Sequence, residues 1–324
     1  MQNNKNNCLD YQKLIKDQPW IVQRNQNCVV GPDSDGLLCG LFMSNYLDWK
    51  VVGFYDGKVL VVKKNIKPKN CIFLDMEIFR KEARSVGHHM ILYNKKHLPK
   101  NWIELKNCIS ANNLRNFDMK QNFPAKYPLG TIHLLLGIVG QTKKISLPID
   151  SLCPLLYTDG TFKNLFNYPD NCLDWLNFLG ANIEKTSLND LFYNEHYTIS
   201  RLMLALNNLF SELKKINNGK RGGDKIKISD KSGDLINFNR NQFNQNTKER
   251  TLSFLAILEQ KTSWKYLDAN WHWGQYDVFH FRKGIIKPSQ GRYNELMLKN
   301  PLSLAITSGN TLEYTLDKKG LFLK

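Results

Sequence analysis

Residues 28–39 read CVVGPDSDGLLC: a short apolar run, a Gly-Pro break, two aspartates one residue apart, and a glycine that opens a second apolar run. The first run has the length of a buried strand, and Leu37, Leu38, Leu41, Phe42 and Leu47 then recur at the spacing of one helix face. Asp33 and Asp35 therefore sit where a strand gives way to a helix. No Lys or Arg follows before Lys50. Two neighbouring carboxylates repel each other, so the pair either rests in water or holds a cation.

The surrounding sequence repeats the strand signal. WKVVGFY (49–55), KVLVVK (58–63), CIFL (71–74) and MILY (90–93) are short and apolar, and turn-like residues separate them. Strands that are apolar throughout belong to sheets covered on both faces. The expected fold is α/β, a largely parallel sheet flanked by helices over residues 1–190, followed by a smaller α+β domain over residues 191–324. Ligands of such sheets collect at the carboxyl ends of the strands. Asp33 and Asp35 follow one strand and Asp75 follows another. Downstream, YPLGTIHLLLGIVG (127–140) reads as a buried helix and SLCPLLYTDGTF (151–162) leads into an acidic turn at Asp159. Ile199, Leu202, Met203, Leu206, Leu209, Phe210, Leu213 and Ile216 mark one face of an amphipathic helix.

Forty-five Lys and Arg against 29 Asp and Glu leave a formal charge of +16. Such a surplus favours a polyanionic partner, DNA or RNA, because each basic group set against a phosphate releases condensed counterions. A solvated Lys- and Asn-rich surface is the bland alternative. The surplus is densest over 214–250, with ten basic residues against four acidic ones. Helical periodicity lapses there, as in a mobile loop or a solvated connector, and Lys220, Arg221, Lys225 and Lys227 are its candidate nucleic-acid contacts. The aromatics Trp264, Tyr266, Trp271, Trp273, Tyr276, Phe279 and Phe281 either stack on unpaired bases or fill the core of C-terminal strands. His272 and His280 are expected to be hydrogen-bonded structural residues. No stretch approaches the roughly 18 apolar residues of a membrane span, and the N-terminus lacks an apolar targeting segment. A soluble, cytoplasmic chain without a membrane partner is expected, with a homo-oligomer or a partner protein left open. The seven cysteines form no C-x-x-C pair and are expected to be reduced.

Asp33, Asp35, Asp75, His88, His89 and Asp159 form a set of hard or borderline metal ligands without thiolates, suited to Mn or Mg. Two such ions, about 3.5–4 Å apart, activate a water and clamp the attacking and leaving oxygens of a phosphoryl group. Glu77 is a further carboxylate that reads either as an accessory base or as a solvated residue.

CVVGPDSDG, CIFLDME and SVGHH (85–89) resemble the first three motifs of the DHH phosphoesterases, and of the RecJ-like nucleases in particular, over roughly residues 20 to 175. The resemblance implies that Asp33 and Asp35 are first-motif metal ligands and that Asp75 bridges two ions. It implies further that His88 ligates metal, that His89 contacts the scissile phosphate, and that Asp159 in YTDGTF supplies the last metal-binding aspartate. Two features depart from the pattern. Gly87 stands where the triplet has its leading aspartate, and the C-terminal G-G-G-H signature is absent, with only Gly222-Gly223 in the basic segment.

The function expected from these features is metal-dependent phosphodiester hydrolysis by one or two Mn or Mg ions, through a metal-activated water, on single-stranded or end-frayed nucleic acid. His88, His89 and Asp75 would be catalytic. Two alternatives stay open: a catalytically weakened nucleic-acid-binding or scaffolding subunit of a larger complex, and a phosphodiesterase of small nucleotides.

Overall fold

The apolar runs pair as parallel neighbours. The computed structural model describes residues 8–323. Strands β1 (Asn27–Val30), β2 (Lys50–Tyr55), β3 (Val59–Lys63), β4 (Ile72–Leu74), β5 (Arg84–Gly87) and β6 (Cys108–Ser110) precede a small ribbon, β7 (Phe238–Asn239) and β8 (Gln242–Phe243). Then come β9 (Tyr276–His280), β10 (Arg282–Ile286), β11 (Ser303–Ser308) and β12 (Thr311–Leu316). The central sheet has seven strands in the order β6-β5-β4-β1-β2-β3-β9, and β10-β12-β11 form a second sheet. The ladders from β6 to β2 are parallel, whereas β3 and β9 add an antiparallel edge. The fold is thus mixed α/β with a mostly parallel central sheet, as the sequence implies.

Side chains alternate across this sheet with the period of two that strand geometry dictates. Cys28 and Val30 face a core built with the helices Ser34–Leu47, Thr131–Val139, Ile199–Ile216 and Gln245–Thr262. Val29 faces the opposite layer with Leu60, Val62, Phe73 and Phe322. Both faces are covered, which is the condition a parallel sheet requires. The chain beyond residue 190 contributes helices to the first core and β9 to the sheet itself.

Two expectations are corrected. MILY is not a strand: only Leu92 makes an isolated bridge, to Asp118, while Met90, Ile91 and Leu92 pack on Leu296, Leu304 and Ile306 of the C-terminal layer. The strand lies just upstream in the polar-looking RSVG, because Ser85 and Val86 are enclosed between β4 and β6 and only Arg84 reaches the rim. Nor is 214–250 an unstructured loop. Its ends belong to the two long helices, and its middle is an extended strap in which Lys225 and Lys227 point out while Ile226 and Ile228 point in. The C-terminal aromatics are chiefly core: Trp264, Trp271 and Tyr276 are buried, and Tyr266, Trp273, Phe279 and Phe281 pack against the clusters.

His272 and His280 hydrogen-bond to the carbonyls of Gln275 and Gly233, as expected of structural histidines. All seven cysteines are free, five of them buried and Cys8 exposed. No helix among the described residues is long and apolar enough to cross a membrane.

Candidate metal centre

The adjacent strands β1, β4 and β5 run parallel, so their carboxyl ends open on one edge. Asp33 and Asp35 follow β1, Asp75 follows β4, and His88 and His89 follow β5. Asp75 adopts φ 69°, a left-handed backbone that aspartate tolerates better than most residues. Its N–H donates to the Val86 carbonyl at 2.9 Å, which fixes the turn beside β5. Tight contacts bring the pieces together. A β-carbon on Gly36 would lie 2.2 Å from the Gly31 carbonyl oxygen, so only glycine lets the helix start this close to the strand end.

One residue that the sequence reading missed ties the centre together. Thr131, fully buried at the start of helix Thr131–Val139, donates its backbone N–H to Asp35 Oδ2 at 2.6 Å, and Ile132 N–H donates to Asp35 Oδ1 at 3.2 Å. Asp35 thereby sits at the positive end of a helix that begins 96 residues away in the chain. The Thr131 hydroxyl donates to Asp75 Oδ1 at 2.9 Å and lies 2.8 Å from His88 Nδ1. Its single hydrogen goes to the ionised carboxylate, which can only accept, so His88 must donate from Nδ1. This network sets the tautomer and leaves Nε2 with a free lone pair.

That lone pair faces Asp159 Oδ2 at 3.2 Å. Two acceptors in contact require a proton or a cation between them. Asp159 itself holds φ 49° in the turn of YTDGTF, which brings its carboxylate to His88 although its backbone reaches the surface. His89 Nε2 lies 3.1 Å from Asp75 Oδ1, and the two imidazoles are 4.0 Å apart at their centres. Asp35, Asp75, His88 and Asp159 place ligand atoms within 4.8 Å of one another, as do Asp75, His88 and His89. Both sets can hold a metal ion, the second only with His89 deprotonated, and they share Asp75 and His88.

The electrostatics favour a cation. Burial, then the Asp75 charge, pushes the Asp35 carboxyl well above the carboxylate range. Burial raises Asp75 to about 6 against the opposing pull of His89, and burial followed by the Asp35 charge raises Asp159. His88 is pushed well down by burial and by its neighbour His89, so it is neutral, the form that binds metal. Burial opposes the charge of His89, but Asp75, Asp159 and Glu77 outweigh it and hold the imidazolium up to about 10. A divalent ion among these groups reverses the sign of the local field and removes the penalty on the ionised carboxylates. Oxygen and imidazole donors in this proportion fit a hard or borderline divalent ion.

Asp33 stands apart from the converging atoms. Its Oδ1 accepts from Gly36 N–H at 3.3 Å and caps helix Ser34–Leu47, as an aspartate at that position does. Its charge still raises Asp35, Asp75 and Asp159. Gly87 has a structural reason: a β-carbon there would lie 2.7 Å from the carboxylate of Glu77. Glu77 is buried, its Oε1 accepts from Met90 N–H at 3.2 Å, and its Oε2 has no partner. A carboxylate thus stands beside the histidine pair even though position 87 carries none.

Of the basic set, Lys225 and Lys227 flank Ile226, whose N–H donates to the carbonyl of Pro32, the neighbour of Asp33, at 2.8 Å. Arg221 lies over the Phe210 ring at 4.4 Å, and Lys220 is exposed at the far end of the segment. Comparison of the chain with protein-family models, curated proteins and solved structures gave no match.

Proposed function

We propose that this protein is a metal-dependent phosphodiesterase acting on nucleic acid, a reading in line with the resemblance of its three motifs to the DHH phosphoesterases and the RecJ-like nucleases. The observation that carries it is the ligand set Asp35, Asp75, His88 and Asp159 at the carboxyl edge of the sheet, with His89 beside it. Mn or Mg are the ions that suit the donors. A bound ion supplies Lewis acidity, lowering the pKa of a coordinated water and screening charge on phosphoryl oxygens.

The chain's own groups do the rest. Thr131 fixes the His88 tautomer and holds Asp75. Imidazolium His89, half-exposed at the site's mouth, is the cation placed to meet a phosphoryl oxygen and steady its developing charge. The surplus of Lys and Arg, with Lys225 and Lys227 exposed on the strap that bonds to Pro32, supports an extended polyanion as substrate.

Isothermal titration of Mn²⁺ paired with hydrolysis of bis(p-nitrophenyl) phosphate and of labelled single-stranded DNA and RNA tests the reading. Metal binding and cleavage that both disappear in Asp75→Asn support it. A protein that binds no Mn²⁺ and cleaves none of the three substrates defeats it, and salt-sensitive strand binding without metal would then favour the scaffolding role.

A further inference from the structure

Two open cavities meet at the metal centre. The larger, about 680 Å³, is lined by His88, His89, Asp159, Phe123, Lys126 and Tyr168 among others. The smaller, about 350 Å³, runs from Asp33, Asp75 and His89 towards Tyr55 and Lys283. Both include His89 and Thr307, so they form two arms of one cleft that passes the ligand sets. Their volumes lie in the range of small-ligand sites. A phosphate at the centre has room for a substituent on each side, as a diester requires and a monoester does not.

The arms differ in chemistry. Beyond the smaller arm lies the strap: Ile226 N–H bonds to Pro32, a residue of that arm's wall, and exposed Lys225 and Lys227 flank the contact. Besides His89, the larger arm has Lys126, whose charge is disfavoured by burial and whose amine is bonded to the Ile306 carbonyl. Otherwise it offers rings and amides. Tyr168 is 59% exposed and joins two helices, and its hydroxyl makes no hydrogen bond among the described residues. Phe123 faces the same space, and Asn164 and Asn171 anchor their amide nitrogens on the Pro128 and Lys126 carbonyls, which holds both amides rigidly in the wall. An exposed tyrosine ring in a cavity that Phe123, His88 and Asp159 also line offers a stacking surface.

We infer that the larger arm is a nucleobase subsite, in which the base of a nucleotide whose phosphate lies at the metal centre stacks on Tyr168 in the cavity that Phe123 also lines. The inference rests on the phosphodiesterase reading and deepens it, because it assigns recognition of the base to a named side chain beside the ligand set. Stacking accepts any base.

Fluorescence anisotropy in a chelator separates binding from hydrolysis. The probes are a labelled single-stranded decadeoxynucleotide and an abasic strand of equal length, which keeps the phosphates and lacks the bases. The wild-type protein is expected to bind the base-bearing strand about tenfold more tightly. Tyr168→Ala is expected to erase that difference without changing affinity for the abasic strand, and Tyr168→Phe to restore it. Equal affinity of the wild type for both strands, no binding of either, or a Tyr168→Ala protein that still discriminates overturns the subsite. Hydrolysis of bis(p-nitrophenyl) phosphate, which carries no nucleobase, keeps the two readings distinguishable. If the wild type and Tyr168→Ala both cleave it and bind Mn²⁺ while strand discrimination is absent, only the subsite falls. If neither protein cleaves it or binds Mn²⁺, the phosphodiesterase reading falls.

Discussion

At the candidate metal centre, Asp35, Asp75 and Asp159 crowd together with two imidazoles, and each carboxylate is penalised by burial and by its neighbours. Along the strap, Lys225 and Lys227 point into solvent while Ile226 and Ile228 fill the core, so the same chain segment satisfies its charges with water. The two regions carry opposite charge, lie next to each other, and differ in what each leaves unsatisfied. Buried charges act at short range and demand a partner, whereas exposed ones act through a screened field that salt weakens. The centre should therefore respond steeply to single substitutions and to metal, and the strap only gradually and only to salt.

Asp75 offers the hardest test of that contrast. Asp75→Asn keeps an oxygen for Thr131 and removes the charge common to both ligand sets, and Mn²⁺ affinity measured by calorimetry is expected to fall by more than about 100-fold, beyond what groups one step further out contribute. Next come those outer groups. Thr131→Val deletes the hydroxyl that sets the His88 tautomer, and Glu77→Ala deletes the carboxylate packed over Gly87. Each is expected to weaken Mn²⁺ binding by about 10–100-fold in the same titration while the far-ultraviolet circular dichroism stays unchanged.

Acidity sharpens the comparison further. The folded Asp75 carboxyl is raised to about 6, above its unfolded value, so the metal-free fold binds more protons than the unfolded chain across that interval and loses stability as pH rises towards 6. His89, raised to about 10, extends the loss above its unfolded value through the alkaline range. Metal binding demands deprotonated ligands, so the stabilisation given by Mn²⁺ should grow over the acidic half of that span. Thermal melts with and without Mn²⁺ should therefore diverge between pH 5 and 7, and parallel curves would contradict the metal-ligand role of these carboxylates. The smallest effect belongs to the strap. Lys225→Ala with Lys227→Ala is expected to reduce the slope of log K against log salt for single strands by about 1.4, at about 0.7 per phosphate contact, and to leave hydrolysis of bis(p-nitrophenyl) phosphate unchanged.

How far the sequence carried the reading follows from the same physics. The strands after which Asp35 and Asp75 stand were legible because parallel strands buried on both faces are apolar without interruption, and CVV and CIFL are. β5 was not, since Arg84 and Ser85 hide a strand whose burial comes from its neighbours rather than from its own composition. The carboxylates and histidines were legible as ligand types, but Asp33 and Asp35 look alike in DSDG, and only the helix start at Gly36 assigns the first to capping and the second to the centre. Thr131 was invisible, because its role depends on a helix that arrives from far along the chain, although GT at the head of an apolar helix was a signal that a hydroxyl could be placed there. Gly87 read as a lost carboxylate, whereas Glu77 occupies the space above it, a substitution in volume that no local pattern encodes. In the basic segment the alternation of Lys225, Ile226, Lys227 and Ile228 already marked an edge with an inside and an outside, masked by the asparagines and glycines around it.

The central claim is that the edge of the sheet is a divalent-metal site. Crystals grown with Mn²⁺ and measured at the manganese absorption edge test it directly. An anomalous peak in contact with Asp75 and His88, with Asp159 or Asp35 completing its shell, is the expected result. A map with no anomalous peak among these side chains, from crystals in which Asp75 and His88 are well ordered, would contradict it.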